Sequence, residues 1–175
     1  MTIDPSAIEP IATGKHLRLV RSGRWEFAQR VQAHAIAVIV AITNDDRLIL
    51  VQQDRIPVGA RVIELPAGLV GDEEAGEPIV EAARRELIEE TGYDADRVTV
   101  IGRGPSSAGL TDEMVTMVRA EGLRRVADGG GVAGENITVH EIALAELDAW
   151  LRAREAEGCL IDWKIWAGLW LVRSR

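Results

Sequence analysis

The spacing of apolar residues changes along the chain, and each change marks an element. His16–Val20 (HLRLV) and Trp25–Val31 (WEFAQRV) alternate around Arg21-Ser22-Gly23, the pattern of a β-hairpin. Residues 1–15 read as a poorly determined arm ahead of it. His34–Ile42 (HAIAVIVAI) is apolar almost throughout, which predicts a strand covered on both faces. Asn44-Asp45-Asp46 supplies a turn, and Arg47–Gln53 (RLILVQQ) is expected to return as the hairpin partner of that strand. Val62–Leu65 is a further strand, running into Pro66-Ala67-Gly68, where backbone can approach a ligand closely. The period then becomes helical between Gly76-Glu77-Pro78, where a helix can start, and Gly92, where one stops. Arg97–Gly102 (RVTVIG) and Met114–Ala120 (MVTMVRA) read as strands separated by a loop over Gly102–Leu110 and the segment Thr111-Asp112-Glu113. Asp128–Gly134 reads as a connecting loop and Glu135–Ile142 as a strand. Leu144–Ala156 and Ile161–Val172 are two helices. Trp163, Trp166 and Trp170 lie near one face of the second, which reads as core or dimer surface in preference to a base-stacking platform. Strands with helices packed on them give an α+β sandwich on a mixed sheet.

Composition narrows this little, and charge narrows it more. At 175 residues, 47% of them apolar and 27% charged, the chain suits one domain with a real core. The net charge is −8, and Asp72–Glu90 alone holds eight acids against two arginines. That balance argues against a nucleic-acid binder, which would carry a basic patch. It suits an anionic substrate only if cations intervene. One cysteine, Cys159, cannot form an internal disulfide, which points to a reducing compartment. The first residues, MTIDPSAIEP, lack the basic end and apolar run of a signal peptide. The longest apolar run, Ala35–Ile42, is eight residues and too short to span a membrane as a helix. The expectation is a soluble, cytoplasmic protein without nucleic-acid or membrane partners.

The acidic helix carries the candidate chemistry. At about 100° per residue, Ile79, Val80, Ala83 and Leu87 share one arc. Glu90 falls inside that arc and Glu86 on its edge, one turn apart. A run of glutamates is ordinarily a solvated face, but carboxylates on a burying face are costly unless a cation meets them. Arg85 lies a third of a turn further round, suited to orienting Glu89 and unable to neutralise all three. A site for hard divalent cations with oxygen ligands accounts for the arrangement. His16, His34 and His140 are isolated from one another, so no zinc site is expected.

Gly71, Glu77 and Arg85-Glu86-Leu87-Ile88-Glu89-Glu90-Thr91-Gly92-Tyr93 resemble, without a mismatch, the Nudix hydrolase signature G-x5-E-x7-R-E-U-x-E-E-x-G-U. Gln53-Asp54-Arg55, Glu64-Leu65-Pro66-Ala67-Gly68 and Thr111-Asp112-Glu113 are similar to segments of the members acting on ADP-ribose and nucleotide sugars. The resemblance implies an α/β/α sandwich over most of residues 47–151 and hydrolysis of a pyrophosphate joining a nucleoside to a sugar. It implies Mg²⁺ or Mn²⁺ on Ala67, Glu86, Glu89 and Glu90. It also implies Arg55 as a substrate contact, Glu113 as the base with Glu89 as the alternative, and Arg85 as the residue that orients the glutamates. In that subfamily an N-terminal sheet packs across a homodimer and helps hold the base. Residues 1–32 are therefore expected to form a dimer and base-site unit, with Trp25, Glu26 and Arg30 as base or ribose contacts, and residues 33–175 the catalytic domain. For Arg55 the plain alternative is a surface salt bridge, and for Trp25 a core or dimer-contact residue.

Two departures stand out. Gly68 lies eight residues before Glu77 whereas Gly71 has the formal spacing, which implies a three-residue insertion with Gly68 the structural counterpart. The metal-facing carbonyl is then that of Ala67 and not Val70. Ser107, followed by Ala108, stands where the subfamily carries Pro, which weakens the preference for ADP-ribose over other nucleotide sugars. The rival readings are a Nudix enzyme of nucleoside triphosphates or dinucleoside polyphosphates, and a non-catalytic nucleotide sensor. The second rival would normally have lost signature carboxylates, and none is lost here.

Overall fold

The computed structural model describes residues 8–31, 35–71, 76–131 and 136–174. Three short strands open the chain, β1 (Glu9–Thr13), β2 (Leu17–Ser22) and β3 (Trp25–Arg30), joined as an antiparallel sheet in that order. Two four-stranded sheets follow. One runs in the order β7 (Ala67–Val70), β4 (Ala35–Ala41), β9 (Met114–Arg125), β8 (Tyr93–Pro105), with β4 and β9 parallel. The other runs β10 (Thr138–Ala143), β5 (Arg47–Arg55), β6 (Ala60–Glu64), β11 (Leu160–Ile161), with β6 and β11 parallel. The helices are α1 (Ile79–Thr91), α2 (Leu147–Ala156) and α3 (Lys164–Arg173).

The alternation along β4 explains the layering. Val38 and Val40 join a core with Leu48, Leu50, Ile63, Leu147, Leu151, Ile165 and Leu169, on the side of α2 and α3. Ala37, Ile39 and Ala41 join a second core with Ile49, Ala83, Leu87 and Val118, on the side of α1. Successive residues of a strand point to opposite faces, so a strand apolar throughout needs a helix layer on each side. The α+β sandwich with mixed sheets read from the sequence is the fold found.

Several expectations are corrected. β4 and β5 are not hairpin partners: they lie in different sheets, and only Ile42 and Leu48 bridge at their junction. Both strands are central, and each finds two other neighbours, which no local turn pattern reveals. The arm holds a strand, β1, paired Glu9↔Arg21 to Thr13↔Arg18. The first hairpin turns at Gly23-Arg24, with Ser22 opposite Trp25. β8 and β9 extend well beyond their apolar centres, so the expected loop over Gly102–Leu110 begins only after Pro105. Ion pairs Arg124–Asp94 and Arg97–Glu121 hold the polar end of that ladder, where hydrophobic alternation gives no signal. Of the expected loop over Asp128–Gly134, residues 132–134 lie outside the described residues, as do His34 and Glu135 at the starts of two expected strands.

Of the core-or-dimer-surface expectation for the tryptophans, the core half is corrected. Trp163 is 83% and Trp170 72% exposed, and Trp166 is exposed too, so α3 packs inward through Ile165, Gly168 and Leu169 and not through its tryptophans. Trp25 is 55% exposed and likewise no core residue.

Candidate active site

α1 is bounded as its sequence requires, with Pro78 at its N-terminal boundary and Gly92 at φ 75° ending it. Its buried face comprises Ala82, Ala83, Leu87, Glu90 and Thr91. A buried carboxylate needs partners, and Glu90 Oε2 accepts the backbone N–H of Ala67 at 3.0 Å. One turn earlier, Glu86 lies against Gly68, where a Cβ would sit 1.8 Å from the Glu86 carboxyl carbon. The glycine facing the acidic helix is therefore Gly68, as the inferred insertion requires, while Gly71 lies beyond the end of β7. Ala67, Gly68, Glu86 and Glu90 form one wall.

Arg85 organises that wall from the side. Its Nε and Nη2 donate to Glu77 at 3.2 and 3.4 Å, and its Nη1 to Glu86 at 2.8 Å and Glu89 at 3.3 Å. Nη2 also donates to the Leu69 carbonyl at 3.4 Å, tying helix to strand. Partial burial works against its charge, but Glu77 and Glu86 outweigh that and hold the guanidinium above its ordinary pKa. Arg85 thus reaches Glu77 and Glu86 as well as the Glu89 expected from its helical position.

Among the described residues, no three His, Cys, Asp or Glu side chains converge into a finished cation cage. The donor set nonetheless suits a hard cation: carboxylate oxygens of Glu86 and Glu90 stand beside a glycine strand with no Cβ in the way. Glu89 stands further round, against Arg85.

Arg55 is held as a fork. Its Nε and Nη2 meet Glu64 at 2.9 and 2.6 Å, and Gln53 Nε2 donates to the same carboxylate at 3.1 Å. Glu64 is buried and Arg55 half-exposed, so the salt bridge named as the plain alternative is present, braced from its buried side. Burial opposes the Arg55 charge, while Glu64, with Glu90 and Asp162 further off, raises its pKa above the ordinary value. The sequence reading does not single out Glu64, which holds Arg55 in place. The signal was present, because an acid between Ile63 and Leu65 on an apolar strand demands a cationic partner.

Glu113 ends the loop before β9. The rows Leu69–Ile36–Val115 and Gly68–Ala37–Thr116 run across three strands, so Glu113 sits two residues beyond the first row, roughly 10 Å across the sheet from β7. Arg30 Nε donates to Glu113 Oε1 at 2.5 Å, bringing together two residues that the sequence suggested separately. Glu26 pairs instead with Arg21, at 2.8 Å on an exposed surface, and Trp25 stands open with Arg24 5.9 Å from its ring centroid.

The chain is an α+β sandwich that presents a helix of braced carboxylates to a glycine-containing strand. The NUDIX domain pattern matches residues 33–167, and the chain belongs to the Nudix family, whose cofactors are divalent cations. It is 31% identical over 156 residues to the ADP-ribose pyrophosphatase of Bacillus subtilis (strain 168), covering 85% of this chain and 83% of that one. It is 29% identical over 145 residues to the methanol dehydrogenase activator of Bacillus methanolicus, covering 79% and 77% respectively. A solved structure described as an ADP compounds hydrolase superposes with a TM-score of 0.71 at 22% identity, over 95% of this chain and 90% of that one, a likeness of fold. No helix among the described residues is long and apolar enough to cross a membrane.

Proposed function

We propose that this chain hydrolyses the pyrophosphate bridge of nucleoside diphosphate sugars, ADP-ribose foremost, to a nucleoside monophosphate and a sugar phosphate. The observation that carries the reading is the wall formed by Ala67, Gly68, Glu86 and Glu90, supported by the similarity to the ADP-ribose pyrophosphatase of Bacillus subtilis. Ala67, Glu86, Glu89 and Glu90 would hold Mg²⁺ or Mn²⁺. Bound there, the cation offsets phosphate charge and makes water more acidic. Water oxygen bonds to one phosphorus as the bond from that phosphorus to the bridging oxygen breaks. The bridging oxygen leaves with the other phosphate, and the water proton passes to Glu113, a transfer worth roughly 10²–10⁴ in rate.

Arg55, braced by Glu64, offers its remaining donor edge to a phosphate or ribose oxygen. Trp25, Glu26 and Arg30 are assigned to the base and ribose, and Arg85 to orienting the signature glutamates. The working unit is a cytoplasmic homodimer, with residues 1–32 serving the dimer and base site and 33–175 the catalytic domain. Incubation with ADP-ribose, GDP-mannose, UDP-glucose and nucleoside triphosphates in Mg²⁺ tests the assignment. ADP-ribose is expected to yield AMP and ribose 5-phosphate fastest. Faster turnover of triphosphates would move the substrate class, and no turnover of any would leave a sensor.

A further inference from the structure

The N-terminal sheet touches the rest of the chain through a short parallel run in strict register. Ala28 bridges Thr111 in parallel, and the Ala28 N–H donates to the Leu110 carbonyl at 2.8 Å. The next residue, Gln29, donates from Nε2 to Asp112 Oδ2 at 2.5 Å, and the one after, Arg30, donates to Glu113 at 2.5 Å. Three successive residues of β3 thus meet three successive residues of the segment that delivers Glu113. Because side chains alternate in extended chain, the Gln29–Asp112 contact lies on one face and Arg30–Glu113 on the other. A slip of one residue would turn Glu113 to the opposite face.

Gln29 is built to prevent that slip. It is the buried polar residue of its strand, and both ends of its amide are satisfied. Arg18 Nε donates to Oε1 at 3.0 Å, which leaves Nε2 directed at Asp112. Asp112 itself is exposed, on a loop held internally by the Glu113 N–H on Thr111 Oγ1 at 3.1 Å, the Thr111 N–H on the Ser107 carbonyl at 3.0 Å and the Ser106 N–H on the Glu113 carbonyl at 3.1 Å. Those bonds shape the loop itself; across to β3, the Gln29 amide adds a buried side-chain anchor to the Ala28 pairing, on the face opposite Glu113.

We propose that Gln29 is a positioning residue for Glu113: its hydrogen bond to Asp112 pins the 111–113 segment to β3 and sets the face on which the Glu113 carboxylate stands. The N-terminal sheet then contributes to turnover and not only to binding. This rests on Glu113 being the base, and the test separates the two claims. Full-length Gln29→Ala, and Gln29→Glu, which keeps the side-chain volume and the Arg18 contact but removes the donor, are assayed with ADP-ribose and MgCl₂. Both are expected to lose about tenfold in kcat with KM and the Mg²⁺ concentration for half-activation within twofold of the parent, a displacement effect on the reacting geometry. Adding Asp112→Asn to Gln29→Glu restores a donor–acceptor pair in the reverse sense and should recover most of kcat, which a general loss of stability would not. In a Glu113→Gln background the Gln29 variants should cost nothing further. An unchanged kcat in the Gln29 variants, or an equal loss in both backgrounds, overturns the inference while leaving the base assignment standing. An unchanged kcat in Glu113→Gln itself removes both.

Discussion

At the scale of single residues, the wall beside α1 gives the sharpest expectations. Glu90 is buried and already accepts one backbone N–H. Glu90→Gln keeps the volume but exchanges one carboxylate oxygen for a donor, so kcat should fall by at least about 10²-fold and the Mg²⁺ requirement should weaken or disappear. Circular dichroism should show the fold intact, because an amide is cheaper to bury than a carboxylate. An unchanged kcat would remove the cation assignment. Gly68→Ala makes the complementary point. Its Cβ would fall 1.8 Å from the Glu86 carboxyl carbon, so strand, helix or carboxylate must shift. Activity should drop at least tenfold, with a stability cost of about 1–3 kcal/mol read by urea unfolding. Gly71→Ala should leave Glu86 in place and lose less activity. Equal losses at both positions would contradict Gly68 as the facing glycine.

At the scale of elements, what was legible from sequence follows from which forces act locally. The helical period of α1 and the apolar run of β4 are local, and both elements form within a residue or two of where the pattern puts them. The direction of Glu86 and Glu90 follows from the same period, because burial of Ala83 and Leu87 fixes the helix rotation. The pairing of β4 was not legible, since Val115 and Leu69 flank Ile36 from distant parts of the chain. Nor was the grip of residues 28–30 on 111–113, for no periodicity links segments 83 residues apart. Glu64 and Asp94 lie between these cases: each is a buried acid in an apolar context, which announces a cationic partner without naming it.

Asp94 shows what such a partner does for the element. Arg84 on α1 donates to it at 2.6 and 3.0 Å, and Arg124 on β9 at 2.5 Å, so it ties helix to hairpin. The Arg84 hydrogen bonds, outweighing burial and aided by the Ala95 N–H and the Arg124 charge, lower its pKa to about 2 from 3.8. A depressed carboxylate pKa gives stability that is present above about pH 4 and lost as pH falls through 2. Asp94→Asn should therefore cost roughly 1–3 kcal/mol at pH 7. The gap between variant and parent should close on acidification from pH 4 to pH 2. A gap independent of pH over that range would mean the arginines do not stabilise the ionised form.

At the scale of the whole molecule, the N-terminal sheet is incomplete as a folding unit. All five residues of β1 are exposed, and across the three strands only Val20 and Gln29 are buried. Leu17, Leu19 and Trp25 remain open to solvent. A three-stranded sheet needs a hydrophobic face covered to be stable, and the contacts through residues 28–30 fasten this one without covering it. A second copy of the chain is the cover expected from the homodimer reading. The mass in solution should then be about twice 19.1 kDa at micromolar concentration. Leu17 and Leu19 are both two positions apart on one face of β2, so Leu17→Ser with Leu19→Ser should shift the mass to that of a monomer. If the second copy helps complete the base site, the same variant should also raise KM for ADP-ribose several-fold. A parent protein that sediments as a monomer at every concentration would detach the sheet from dimerisation and leave its grip on the Glu113 segment as its function.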